Sequence, residues 1–148
     1  MIPGALGGAC NLSPFTLVRP PAVDHEELTG RIIGCAMTVQ RALGPGHLES
    51  VYQNALAHEL RKAALVVECR KGIQVRYDGQ IVGDFVADML VDGCVIVENK
   101  ALRALARTHE AQLVNYLTAT GIEIGLLLNF GAERLEFRRK TRTYRPRS

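Results

Sequence analysis

Residues 84–100 read DFVADMLVDGCVIVENK, and two apolar runs meet at the Asp92-Gly93 pair. Aspartate followed by glycine between strand-forming runs predicts a turn, so the runs should be neighbouring antiparallel strands. Side chains alternate faces along a strand, with Asp84, Val86, Asp88 and Leu90 on one face and Phe85, Ala87, Met89 and Val91 on the other. This pairing places Asp88 across from Glu98, and Lys100 shares the face of Glu98.

The chemistry expected at this point follows from the charges. Two carboxylates about 4 Å apart repel by about 4 kcal/mol at an effective dielectric near 20. A proton or a cation must offset that repulsion, and Lys100 balances only one charge. A hard divalent ion, Mg²⁺ (or Mn²⁺), binds such oxygens together with water and phosphate. The alternative is a structural salt bridge of Lys100 with Asp88 or Glu98, because the D…ExK spacing is short and common.

The flanking sequence predicts an α/β fold, in which a helical hairpin precedes a mixed sheet with an antiparallel three-strand meander, a helix and further strands. Asp24 and Glu27 form a candidate capping box for the first helix, and Thr108 is the candidate cap of the third. The predicted helices span 25–43, 47–63 and 109–120. The predicted strands span 66–69, 73–77, 81–91, 95–100, 122–130 and a short segment around 135–137.

Length and composition predict one domain with an aliphatic core, since the chain has 148 residues, 47% hydrophobic residues and no Trp. Residues 1–23 are rich in Gly and Pro and are expected to form a loose arm, residues 24–139 the domain, and residues 140–148 a basic tail. From Arg134 onward there are seven basic residues and one acidic residue. This excess suits a polyanionic partner, and a solvated tail is an equal alternative.

The N-terminal segment lacks the charge and apolar run of a signal peptide, and no stretch approaches the length of a membrane span. Four cysteines, Cys10, Cys35, Cys69 and Cys94, show no CxxC pairing. Free thiols are therefore favoured over a zinc site or disulfides, which indicates a reducing, cytoplasmic location.

A resemblance to a known family adds to this interpretation. Residues 46–52 read GHLESVY, a G-x-x-E-x-x-Y pattern that resembles the GxxExxY family of the PD-(D/E)XK nuclease-like superfamily. The similarity extends over about residues 28–139 and includes the LGPG turn, the 95–100 strand, residues 109–112 and residues 125–131. Two positions depart from the superfamily pattern: Ala87 stands where a proline is usual, and Asn99 where an apolar residue is usual.

The resemblance implies a restriction-endonuclease-like core with its site at the meander. Asp88, Glu98 and Lys100 match the catalytic motif, and Glu49 matches an acid on the preceding helix that completes a metal set of Glu49, Asp88 and Glu98. Gln112 and Tyr116 match a Q-x-x-x-Y element that contacts nucleic acid. From the residues alone, Glu49 is a solvated charge, and Tyr116 and Tyr52 are packing residues. His109 either contacts phosphate or caps its helix, and Arg138 and Arg139 are further candidates for nucleic-acid binding.

Two functions follow from these expectations. The first is a Mg²⁺- or Mn²⁺-dependent nuclease that hydrolyses phosphodiester bonds of DNA or RNA. The second is a non-catalytic module that binds nucleic acid or protein on the same scaffold. The resemblance also suggests a homodimer, because related nucleases often pair. The residues do not distinguish DNA from RNA, or endonuclease from exonuclease.

Overall fold

The computed structural model describes residues 25–142. The predicted N-terminal arm, Asp24 of the candidate capping box and residues 143–148 lie outside this range. The helices are α1 (His25–Leu43), α2 (Glu49–Lys62) and α3 (Arg107–Thr120). The strands are β1 (Val67–Tyr77), β2 (Gln80–Val91), β3 (Val95–Lys100), β4 (Ile124–Asn129) and β5 (Glu136–Thr141).

The described strands form one mixed sheet in the order β1-β2-β3-β4-β5. The first three strands are the predicted antiparallel meander, and β4 lies parallel to β3. Parallel neighbours need a crossover connection, which α3 supplies. β5 then pairs antiparallel with β4. The predicted α/β fold class is confirmed.

Helices cover both faces of the sheet. The side chains of α1 and α2 pack with Val97 and Leu126 in one core layer, and those of α3 pack with Ile96 and Leu127 in the other. All six residues of β4 are buried. The uninterrupted apolar run in this part of the sequence predicts such a strand, since only a strand covered on both faces has no polar side.

Local backbone geometry explains where the meander turns. Asp78 and Gly79 have φ values of 54° and 78°, and Asp92 and Gly93 have 52° and 66°. Positive φ at both central residues defines the turn that matches the twist of paired strands, and Asp-Gly adopts it readily. Both predicted hairpin turns are confirmed.

Several element boundaries differ from the prediction, and three of the differences have a clear structural reason. β1 is a single strand, because it pairs with β2 along almost its whole length. α3 begins at Arg107, where the Nδ1 atom of His109 accepts a hydrogen bond from the Ala106 amide at 2.9 Å, so Thr108 lies inside the helix and is not its cap. β5 continues to Thr141, two residues into the segment predicted as a tail.

The side-chain alternation of β1 and β2 changes phase in mid-strand. Met89 packs in the layer under α1 and α2, whereas Ala87 packs in the layer under α3, although the two are only two residues apart. The ladder pairs on either side are Cys69 with Met89 and Lys71 with Ala87. Between them Arg70 has a left-handed φ of 54°, which rotates the strand. The prediction that Phe85, Ala87, Met89 and Val91 share a face is therefore wrong.

The cysteines differ among themselves. Cys35 and Cys69 are free thiols, as expected. Cys94 is disulfide-bonded, so the expectation of a free thiol is wrong for that residue. Within residues 25–142, no helix has both the length and the apolar character that crossing a membrane requires.

Candidate metal centre

Asp88 and Glu98 lie across from each other where the pairing of β2 with β3 ends. The last ladder pairs are Leu90 with Ile96 and Met89 with Val97. One step beyond, the Asp88 amide donates a hydrogen bond to Oε2 of Glu98 at 2.9 Å, and the Asn99 amide donates to Oδ2 of Asp88 at 2.7 Å. Each carboxylate therefore uses one oxygen to bind the opposite strand.

Burial sets the ionisation of this pair. Glu98 is only 4% exposed. Burial first, and then the charge of Asp88, raises the pKa of Glu98 from 4.5 to about 8. Burial also raises the pKa of Asp88, although the Asn99 amide, Lys100 and Arg70 oppose this shift. The pair is therefore stable only with a proton or a cation beside it.

Lys100 is one candidate for that cation, but it does not form an ion pair with either acid. Its charge lowers the pKa of both Asp88 and Glu98, so it lies in their electrostatic neighbourhood. Across the described residues, however, no ion pair within 4 Å joins Lys100 to either acid. The alternative of a structural salt bridge is not formed. Lys100 keeps its ammonium group available for another partner.

Glu49 is the first residue of α2 and joins the same electrostatic neighbourhood. Burial first, with a contribution from Asp88, raises the pKa of Glu49, whereas Lys100 and His109 lower it. Three His, Cys, Asp or Glu side chains do not form a ready-made ligand group anywhere in the described range. Glu49 therefore influences the charge of the site without completing a three-carboxylate set in this arrangement.

Tyr52 positions the N-terminus of α2. It is completely buried and stacks on Phe130 with ring centroids 4.9 Å apart. Its hydroxyl donates to the Gly44 carbonyl and accepts a hydrogen bond from the His47 amide at 3.1 Å. The tyrosine of the G-x-x-E-x-x-Y pattern thus braces the turn that precedes Glu49.

α3 brings a second group of residues to the side of the sheet that carries Ile96 and Glu98. Tyr116 is 6% exposed and contacts Phe85 at a centroid distance of 5.6 Å. Burial first, and then the charges of Glu98 and Asp88, raises the pKa of Tyr116. Gln112 lies one turn earlier and is exposed. His109 caps the helix through Nδ1 and is also close enough to Glu49 to lower the pKa of that acid.

The two arginines predicted to bind nucleic acid face opposite sides of β5. Arg138 forms an ion pair with Glu110 of α3 at 3.5 Å. Arg139 instead donates from Nε to Oγ1 of Thr29, on α1, at 3.0 Å. The structure therefore does not bring Arg139 to the site, because adjacent residues in a strand project to opposite faces.

The residues present fit a hard divalent ion. Asp88 and Glu98 supply carboxylate oxygens from neighbouring strands, and burial raises the pKa of both, so a cation would favour their charged forms. Mg²⁺ typically takes one or two carboxylates and completes its shell with water and phosphate oxygens. Two carboxylates are therefore sufficient for such an ion.

Comparison with known proteins agrees with this geometry. A family model of the PD-(D/E)XK nuclease superfamily matches residues 26–140, more than half of the chain. The chain belongs to this superfamily. PD-(D/E)XK nucleases generally use divalent metal ions.

This PD-(D/E)XK chain is also similar to the solved structure of SSO0001. The TM-score is 0.51 and the sequence identity 17%, and the match covers 65% of this chain and 50% of that one. The chain thus spans half the length of SSO0001, and the likeness shows the fold alone. A search of curated proteins finds no match.

Arg70 belongs to the surroundings of this PD-(D/E)XK site, but the sequence does not indicate it. It lies in the register position opposite Asp88 and lowers the pKa of that acid. Glycine or asparagine is the usual signal of a left-handed residue, and neither stands here. Only the pairing of β1 with β2 places Arg70 beside Asp88.

Proposed function

We propose that this chain is a divalent-metal-dependent nuclease that hydrolyses phosphodiester bonds of DNA or RNA, and that it is of the GxxExxY type within its superfamily. The observation that carries the proposal is the buried pair of Asp88 and Glu98, with Lys100 beside both acids and paired with neither. A buried acid pair is costly, so it indicates a site that takes up a cation.

Each residue has a distinct role in this proposal. Asp88 and Glu98 hold Mg²⁺ or Mn²⁺, and Glu49 assists from α2 directly or through water. The bound ion would polarise the scissile phosphate and lower the pKa of a water molecule. Lys100 orients that water or stabilises the charge that develops on the phosphate, since its ammonium group is unpaired.

The side chains of α3 and β5 on this side of the sheet position the nucleic acid. Gln112 is exposed, and Tyr116 lies close enough to both acids for their charges to raise its pKa. His109 keeps Nε2 for a phosphate while Nδ1 caps the helix. Arg138 lies on the same face, where it forms an ion pair with Glu110 of α3.

Cleavage of labelled single- and double-stranded DNA and RNA, with and without Mg²⁺ or Mn²⁺, tests the proposal. We expect metal-dependent cleavage that is lost in both Asp88→Ala and Lys100→Ala. Glu133→Ala, which removes an exposed acid outside the site, is the matched control and should retain activity. Cleavage that survives in Asp88→Ala would show that the activity arises elsewhere.

The non-catalytic module is distinguished by metal binding. Calorimetric titration with Mn²⁺ should give heat that Asp88→Ala removes. Heat without cleavage of any substrate would favour a binding module that retains the metal site. A wild-type protein that gives neither heat nor cleavage would exclude the nuclease.

We also propose that two copies of the chain pair. β2 pairs with β3 only at Met89–Val91, so among the described strands the outer edge of residues 80–88 has no neighbour. Ile81 and Val82 on this stretch are 47% and 60% exposed. An unpaired apolar edge readily adds a strand, and pairing with its own copy satisfies both edges at once. Light scattering should give a dimer that Val82→Lys converts to a monomer.

A further inference from the structure

Arg70 has an unusual backbone conformation for its place in the sheet. The described chain has four non-glycine residues with positive φ: Ala64, Arg70, Asp78 and Asp92. Ala64 follows the end of α2, and the two aspartates are in hairpin turns. Only Arg70, with a φ of 54°, lies within a strand. A left-handed arginine is unfavourable, and such strain is concentrated at functional sites.

The unfavourable backbone conformation of Arg70 occurs beside the candidate metal centre. Arg70 occupies the position between Cys69 and Lys71, whose partners are Met89 and Ala87, so it stands opposite Asp88. The left-handed backbone at this point turns the side chain away from the direction that regular strand alternation would give it. The charge of Arg70 reaches Asp88, because it lowers the pKa of that carboxyl group.

The guanidinium group of Arg70 has no protein partner among the described residues. Arg70 is exposed, and neither a hydrogen bond nor an ion pair within 4 Å engages its side chain. An arginine that served to neutralise Asp88 would form the short, two-pronged contact that carboxylates favour. Arg70 is near the acid but keeps its donors free.

We propose that Arg70 binds a phosphate group of the nucleic-acid substrate beside the metal-binding carboxylates. This inference rests on the proposed nuclease function. Guanidinium donors match two phosphate oxygens at once, which the single ammonium group of Lys100 does not. Arg70 on β1 and Lys100 on β3 then both supply positive charge beside the carboxyl groups of Asp88 and Glu98.

The role predicts effects of opposite sign on metal and on substrate. A positive charge beside Asp88 repels a divalent ion, so its removal should leave Mn²⁺ affinity unchanged or increase it. The same removal should weaken phosphate binding. A residue that only supports the fold would weaken both together.

The test uses Arg70→Gly and Arg70→Asn, since both residues accept the positive φ that Arg70 adopts. Arg76→Ala is the matched control, because it removes an exposed basic side chain from the same strand. Mn²⁺ affinity is measured by calorimetry, and oligonucleotide affinity by fluorescence anisotropy in Ca²⁺ over a range of salt. Cleavage in Mn²⁺ and the melting temperature complete the comparison.

We expect both Arg70 variants to melt at or above the wild-type temperature and to bind Mn²⁺ at least as tightly. Their oligonucleotide affinity should fall, and the slope of log K against log salt should decrease by about one. Cleavage should fall by about 100-fold. Arg76→Ala should remain within about twofold of wild type in cleavage, as expected for an exposed charge remote from the site.

Three outcomes overturn the inference. Arg70 variants that bind and cleave like wild type remove it while the nuclease proposal stands. Equal losses in Arg70→Gly and Arg76→Ala would indicate general charge and no phosphate site. If wild-type protein neither binds Mn²⁺ nor cleaves, both proposals are wrong.

Discussion

Glu98 and Asp88 each accept a hydrogen bond from the strand that carries the other, at 2.9 Å and 2.7 Å. These bonds replace the backbone pairing that ends at Met89 and Val97. They hold two carboxyl groups against the sheet, where water solvates them poorly. The fold thus fixes the two acids in place, and a proton or a bound cation must balance their charge.

The first prediction concerns pH. The folded pKa of Glu98 is about 8, above its ordinary 4.5, so between these values the folded protein holds a proton that the unfolded chain has lost. The contribution of Glu98 to the free energy of unfolding is therefore fully present below pH 4.5. It decreases as pH rises above 4.5 and is lost once pH has risen through 8. Each pKa unit corresponds to about 1.4 kcal/mol. Urea unfolding in EDTA from pH 5 to 9 should show this loss.

Glu98→Gln is the control for this dependence. The amide can still accept the hydrogen bond from the Asp88 backbone but does not titrate, so stability should vary less with pH. An equally steep loss in Glu98→Gln would assign the dependence to other groups.

The second prediction concerns the charge of Asp88. Asp88→Asn keeps an oxygen that can accept the Asn99 amide and removes the charge that raises the pKa of Glu98. Without metal, the variant should be at least as stable as wild type. Added Mg²⁺ should raise the melting temperature of wild type only, because ligand binding stabilises the folded state that binds it. A variant that melts well below wild type in EDTA would show that the Asp88 charge itself stabilises the fold.

The third prediction concerns Asn99. The residue is completely buried, and both polar atoms of its amide lack a hydrogen-bond partner within the described structure. By strand alternation it lies on the face of Val97, towards the core under α1 and α2. A buried polar group without a partner costs about 1–3 kcal/mol. Asn99→Val should therefore increase the free energy of unfolding by about that amount in urea titrations.

Metal binding separates this effect from damage to the site. The amide that bonds Asp88 belongs to the backbone, so Asn99→Val should bind Mn²⁺ like wild type. Lower stability in Asn99→Val would mean that water, or residues beyond those described, satisfy the side chain.

The fourth prediction concerns Tyr52. Tyr52→Phe keeps the stack on Phe130 but leaves the Gly44 carbonyl and the His47 amide without the hydroxyl. We expect a loss of about 1–3 kcal/mol in the free energy of unfolding. Cleavage per folded molecule should be retained, since the hydroxyl braces a turn. A large loss of cleavage without a loss of stability would make Tyr52 part of the chemistry.

Local chemistry made much of this molecule predictable from its sequence. The α1 helix, the two Asp-Gly turns and the buried β4 strand depend on residues close together in the chain, and all were predicted. The second turn predicted that Asp88 lies roughly across from Glu98. The register itself was decided by the strands, since Val91 pairs with Val95 and the connection holds three residues, one more than Asp92-Gly93.

Tertiary structure decided what depends on distant residues. The phase change at Arg70 arises from the pairing of two whole strands, and it alone brings a guanidinium group beside Asp88. Arg139 is drawn to Thr29, 110 positions away, while Arg138 turns to Glu110. The pKa of Glu98 depends on how completely α3 and the neighbouring strands exclude water, which no local pattern specifies. Burial and long-range pairing are properties of the assembled sheet, and they convert two acids in a hairpin into a candidate metal centre.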